Sequence, residues 1–127
     1  MRLVFRRKSI GTACMCSERV KLRLADIVEN ADRIAGYIAE CDLAAYSADQ
    51  KTVDAVERCL TRVTEAVIHI GEEEAEQLRL GAPWRAVKAM GNRLRHEYRR
   101  INSADIFATV SDDLPPLRAA AARALES

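Results

Sequence analysis

Glycine and proline are scarce here. Five glycines and three prolines punctuate 127 residues, which leaves long uninterrupted stretches for helix and argues against a turn-rich β fold. No hydrophobic run approaches the length that a bilayer demands, so a membrane-spanning segment is excluded. Cysteine is present four times, at 14, 16, 41 and 59, but one residue separates the first two and no second ligand pair follows. That spacing excludes the common zinc and redox patterns. All four thiols read as reduced, which fits a cytoplasmic setting. Neither sign of charge dominates, since 20 Lys and Arg face 19 Asp and Glu, so bulk charge says nothing of partners.

What the chain does have is alanine, leucine, arginine and glutamate, the residues of helices. Its length suits one domain with a single modest core. Residues 1–17 place Arg2, Arg6, Arg7 and Lys8 before the short run Ser9–Ala13. The apolar part is too short for a secretion signal. The segment reads as a disordered leader, or as sequence ahead of a true start at Met15, and the domain as residues 18–127.

From Ser17 the pattern becomes regular. Val20, Leu24, Ile27, Ala31, Ile34 and Ile38 step by three and four, predicting an amphipathic helix from Ser17 to about Asp42. Residues 42–47 read as a short connection, with Ser47 or Asp49 capping the next helix. Val53, Val56, Leu60, Val63, Val67 and Ile70 form the narrow seam of a long bundle helix that Gly71 ends. His69, in its last turn, is a residue beside the helix dipole rather than a ligand, and Glu65 is a surface charge or ion-pair partner. An acidic helix over 72–80 stops at Gly81-Ala82-Pro83, and Trp84 opens and anchors the next helix. A capping turn at Asn102-Ser103 starts a further short helix. Asp112–Pro116 interrupts it, and Leu117–Leu125 forms an alanine-rich last helix. The sum is an all-α protein, an up-and-down helical bundle of four main helices plus short ones.

The helix from Trp84 onward carries the chemistry. Continued to Ile101, it puts Val87, Met90, Gly91, Leu94, Tyr98 and Ile101 on one side. Arg85, Lys88, Asn92, Arg93, His96, Arg99 and Arg100 fall on the other. One imidazole thus sits among fixed cations. It can serve as acid, base or phosphate ligand near neutral pH, and the basic face is the kind of patch that polyanions respond to. The plain alternative is a solvated polar face with an incidental histidine.

Six stretches in order resemble the HepT-like HEPN family: Arg-Leu-Ala-Asp-Ile at 23–27, Val-Glu-Arg-Cys-Leu at 56–60, Glu65-Ala66, Pro83-Trp84-Arg85, Asn92-Arg93-Leu94-Arg95-His96-Glu97-Tyr98, and Asp113-Leu114-Pro115-Pro116-Leu117. The resemblance covers residues 18–125. It implies a HEPN-like helical toxin that forms a homodimer and cleaves RNA without metal or other cofactor, using an Arg and a His in a cleft between two subunits. It further implies an MntA-like nucleotidyltransferase antitoxin that silences the toxin by adding AMP to a tyrosine. Carried over, His96 is the catalytic histidine, Asn92 its polar companion and Tyr98 the modified tyrosine, while Arg85, Lys88, Arg99 and Arg100 are candidates to bind RNA.

One position departs from that pattern. The motif arginine, directly before the asparagine, falls at position 91, where this chain has Gly91. Metal-free RNA cleavage needs a base for the 2′-hydroxyl and an acid for the leaving oxygen, and it gains from a cation on the developing phosphorane. Glycine offers none of these. Arg93 and Arg100, three before and four after His96, can both share its face, and Arg93 is the first candidate substitute cation, with a cation from the second subunit of a dimer as the alternative. Gly91 itself marks a close approach by another helix, of this chain or of a partner. Two functions stay open: a ribonuclease toxin centred on His96, or a noncatalytic module that binds RNA, nucleotide or the nucleotidyltransferase.

Overall fold

The computed structural model describes residues 10–126, and for residues 10–17 and Tyr98 the backbone alone. Seven α-helices occur among the described residues: α1 (Ile10–Ile38), α2 (Leu43–Ala48), α3 (Gln50–Ile70), α4 (Glu72–Gln77), α5 (Trp84–His96), α6 (Ser103–Ala108) and α7 (Leu114–Glu126). A 3-10 turn, Tyr98–Arg100, follows α5, and a π turn, Thr109–Asp113, joins α6 to α7. No strand is present among these residues. The protein is an all-α bundle whose main members are α1, α3, α5 and α7.

The core is the one the spacing predicts. Val20, Leu24, Ile27, Ala31 and Ile34 of α1 are buried against Val53, Val56, Leu60, Val63, Val67 and Ile70 of α3. The two helices run antiparallel: Arg19, in the first half of α1, donates through Nη1 to the His69 carbonyl at the end of α3, at 2.8 Å. Helix α7 packs on the other flank of α1 through Leu117, Ala120 and Ala121. Arg118 of α7 grips Asp32 of α1 with two hydrogen bonds, of 2.9 and 3.2 Å. Helix α5 rests on α3.

Several boundaries differ from the sequence reading, each for a local reason. Helix α1 begins at Ile10, so Ser17 lies inside it rather than at its start. The expected leader falls partly on residues 1–9, outside the described residues. The connection after α1 is itself helical. Asp42 caps α2 by accepting from the Ala45 amide at 2.8 Å, and the turn drives Tyr46 fully into the core, where its ring meets Phe107 of α6 at 5.3 Å. Asp49 then caps α3, as expected, through Thr52.

Helix α4 ends before Gly81. Leu80 N–H donates to the Ala75 carbonyl and Arg79 N–H to that of Glu76, a Schellman closure in which Arg79, at φ +57°, takes the place usually held by glycine. Leu80 and Ala75 are both buried. At the other end of the chain, Asp112–Pro116 does not interrupt the helical path. Pro115 and Pro116 occupy the second and third positions of α7, directly after the π turn, which Leu114 N–H closes on the Thr109 carbonyl.

Candidate functional site

Helix α5 is fixed at its start by Trp84. The indole Nε1 donates to the Val67 carbonyl at 3.0 Å, and Lys88 Nζ lies 5.4 Å from the ring centroid, a cation–π contact. Further along, Gly91 and Leu94 are buried, while Val87 and Met90 are half-buried. Arg85, Lys88, Asn92, Arg93, Arg95 and His96 are all exposed. The two faces expected of this helix therefore exist as far as His96.

There the helix stops. Glu97 caps it with its amide on the Arg93 carbonyl at 2.8 Å, and its φ of −129° takes the chain out of the helix. Tyr98–Arg100 forms the 3-10 turn, closed by Arg100 N–H on the Glu97 carbonyl at 2.8 Å. This corrects the sequence reading, which carried the helix to Ile101 and set Arg99 and Arg100 on the face of His96. Instead, Arg100 lines a pocket of about 50 Å³ together with Arg93, Glu97 and Asp105, against the buried Ile106. His96 stands outside that pocket, one helical turn from Arg93. Arg99 is exposed and engaged with other groups. The Tyr98 side chain lies outside the described residues.

The other candidates have definite partners. Asn92 Oδ1 accepts from Arg95 Nη2 at 2.8 Å, so the amide is held by the helix's own arginine. Arg85 Nε sits 3.4 Å from Glu72 Oε2, tying α5 to the acidic helix α4. Among the described residues Arg93 reaches only the Met90 sulfur, at 3.7 Å. The His96 imidazole forms no hydrogen bond or ion pair with the described residues and is open to a ligand. Glu65 is half-buried on α3, and His69 is exposed, its carbonyl rather than its ring in use.

Gly91 has a structural role within this chain. A Cβ built there would lie 2.9 Å from Thr64 Oγ1, 3.1 Å from Thr64 Cβ and 3.4 Å from Ile68 Cδ1. The helix that approaches it is α3 of the same chain. Any side chain at position 91 would start toward α3, away from the face that carries His96.

Sequence reasoning missed two members of the pocket, Glu97 and Asp105. Glu97 stood inside the motif but was hidden by the assumption of a continuous helix. Asp105 is brought in by the turn that Asn102 caps, where Asn102 Oδ1 accepts from the Ala104 amide at 2.7 Å. A larger apolar groove of about 570 Å³ lies between α5 and the start of α7, with Leu60, Val63, Met90 and Leu117 among its walls. No cluster of three or more His, Cys, Asp or Glu able to hold a metal occurs among the described residues, and none of their helices is long and apolar enough to cross a membrane. Cys41 is half-buried and Cys59 buried, both as free thiols.

An all-α bundle with an exposed histidine in basic company at the end of its third main helix has the architecture of a HEPN protein. A family model described as "Ribonuclease HepT-like" matches residues 27–124, and the chain belongs to that family. Among curated proteins it is 30% identical over 95 residues to "Probable ribonuclease HepT" of Thermococcus cleftensis, covering 75% of this chain and 86% of the relative. No solved structure matches it.

Proposed function

We propose that this protein is a metal-independent endoribonuclease and the toxin of a toxin–antitoxin pair, with His96 as its acid–base group. The single observation that supports this most is the free, exposed imidazole of His96 beside Arg93, on a chain of the HepT-like ribonuclease family. In the reaction, His96 takes the proton of a ribose 2′-hydroxyl. The 2′-oxygen attacks the adjacent phosphorus, and the bond to the 5′-oxygen breaks once that oxygen receives a proton, leaving a 2′,3′-cyclic phosphate and a free 5′-hydroxyl. In a homodimer whose cleft joins two α5 helices, the second His96 supplies that proton.

Arg93 takes the part that the family gives to the arginine at position 91, neutralising charge on the phosphorane. Asn92 and Arg95 form a rigid polar pair beside it, and Arg85, Lys88, Arg99 and Arg100 hold the RNA backbone. An MntA-like nucleotidyltransferase silences the enzyme by adding AMP to Tyr98, two residues from His96. The protein acts in the cytoplasm. Cleavage of labelled transfer RNA in excess chelator, compared with His96→Ala and Arg93→Ala, tests the chemistry.

One observation favours a second reading. Gly91 is packed against Thr64, so the family's motif arginine is replaced by a residue with a packing role. On that reading the protein is a noncatalytic module that binds RNA, nucleotide or the nucleotidyltransferase. Tight RNA binding by wild type with no cleavage at any enzyme concentration would select it.

A further inference from the structure

The pocket beyond the end of α5 has an unusual donor and acceptor set. Two guanidiniums, Arg93 and Arg100, and two carboxylates, Glu97 and Asp105, line the same space of about 50 Å³. Opposite charges gathered in one pocket ordinarily neutralise each other, yet none of these four side chains forms an ion pair with the described residues. Three of their carbonyls are in use: that of Arg93 accepts from Glu97 N–H, that of Glu97 from Arg100 N–H, and that of Asp105 from Thr109 Oγ1 at 2.9 Å. What the four chiefly offer a ligand is their side-chain chemistry.

That chemistry is complementary in kind. Guanidinium groups only donate, and they match the oxygens of a phosphodiester. Ionised carboxylates only accept, and they match a hydroxyl. A purely basic pocket would hold any nucleic-acid backbone; the two carboxylates would repel a bare phosphate unless a donor came with it. The backbone unit that brings both is a ribose phosphate with its 2′-hydroxyl, which deoxyribose lacks.

We infer that the Arg93, Arg100, Glu97 and Asp105 pocket is a ribose-phosphate subsite that distinguishes RNA from DNA, the arginines taking the phosphate and a carboxylate taking the 2′-hydroxyl. The inference rests on the proposed RNA-directed function. It adds a specificity device next to the reacting His96, sharing Arg93 with it and built by the break in the helix. Because α5 ends at His96, the 3-10 turn returns Arg100 to the side of Arg93.

The test is binding rather than turnover. His96→Ala protein, which keeps RNA intact, is titrated with a fluorescent RNA oligonucleotide and with the DNA of the same sequence, over a range of salt. RNA binds about tenfold or more tightly than DNA, the worth of one hydrogen bond to a charged group. Adding Glu97→Ala and Asp105→Ala together, which removes both acceptors, abolishes most of that preference while DNA affinity holds or rises. Adding Arg100→Ala instead weakens both ligands and lowers the salt slope by about one counterion. An RNA preference that survives the double carboxylate change overturns the subsite and leaves the proposed function standing. Failure of the His96→Ala protein to bind RNA at all overturns both.

Discussion

Gly91 of α5 and Thr64 of α3 are in such close contact that no Cβ fits between them: the built atom would lie 2.9 Å from the threonine Oγ1. That hydroxyl is not free to swing away, because it donates to the Thr61 carbonyl at 2.8 Å. Gly91→Ala therefore meets a stiff neighbour. Overpacking of this sort costs about 1 to 3 kcal/mol, against about 1 kcal/mol gained from replacing a helical glycine. The net outcome is a loss of about 1 kcal/mol, or about 3 °C in Tm. In a Thr64→Ala background the same change costs less, with a coupling of about 1 kcal/mol in a double-mutant cycle. Strict additivity would show that the contact does not govern the position.

Restoring the family's arginine by Gly91→Arg meets the same geometry. Its side chain starts toward Thr64 and Ile68, and a charge directed into that seam has no partner. The expected result is a larger loss of stability than for alanine and no gain in cleavage, read by thermal melting and by RNA turnover on the same preparation.

Tyr46 provides a prediction in alkali. It is fully buried, its hydroxyl has no hydrogen-bond partner among the described residues, and burial, helped by the charges of Glu57 and Asp54, pushes its pKa from 10.0 up to about 12. The folded state holds the phenol proton more tightly than the unfolded state does. Stability from this group is complete below pH 10 and is lost as pH rises from 10 to 12, by on the order of 2 to 3 kcal/mol. Tyr46→Phe removes the unpaired hydroxyl and leaves the ring. At neutral pH it is neutral or stabilising by about 1 kcal/mol, and across pH 10–12 its stability falls less steeply than that of wild type. Parallel curves for the two proteins would show that Tyr46 does not titrate in this way.

At the acid end the cap of α3 responds in the opposite sense. Hydrogen bonds from the Thr52 hydroxyl and amide hold the Asp49 carboxyl below its usual range. A depressed pKa means a contribution that is whole above the unfolded carboxylate range and is lost as pH falls through the folded value. Wild type is thus more stable than Asp49→Ala at neutral pH, and denaturant midpoints of the two converge in strong acid. A gap of constant size would contradict the cap.

Much of this was written in the sequence. Every apolar position of the α3 seam is buried because a heptad-like repeat has one way to face a core, and the cap at Asp49 followed from local side-chain chemistry. The end of α5 was not legible, since Glu97, Tyr98, Arg99 and Arg100 carry no glycine or proline to announce a stop. Wheel arithmetic placed Arg100 beside His96, whereas the turn set it beside Arg93, Glu97 and Asp105. The close approach at Gly91 could be inferred from a glycine inside a helix, but its partner, Thr64, depends on how two helices pack. The run Asp112–Pro116 looked like a break because two prolines interrupt most helices, and at the first turn of α7 they do not.

The central claim is that His96 performs RNA cleavage although position 91 is glycine. Its most direct measurement is the rate of cleavage of labelled transfer RNA by the purified protein in excess chelator, with His96→Ala alongside. The account predicts cleavage by wild type to products ending in a 2′,3′-cyclic phosphate, and a fall of about a hundredfold to ten-thousandfold in the variant. RNA left intact by wild type, or cut equally well by His96→Ala, would contradict it.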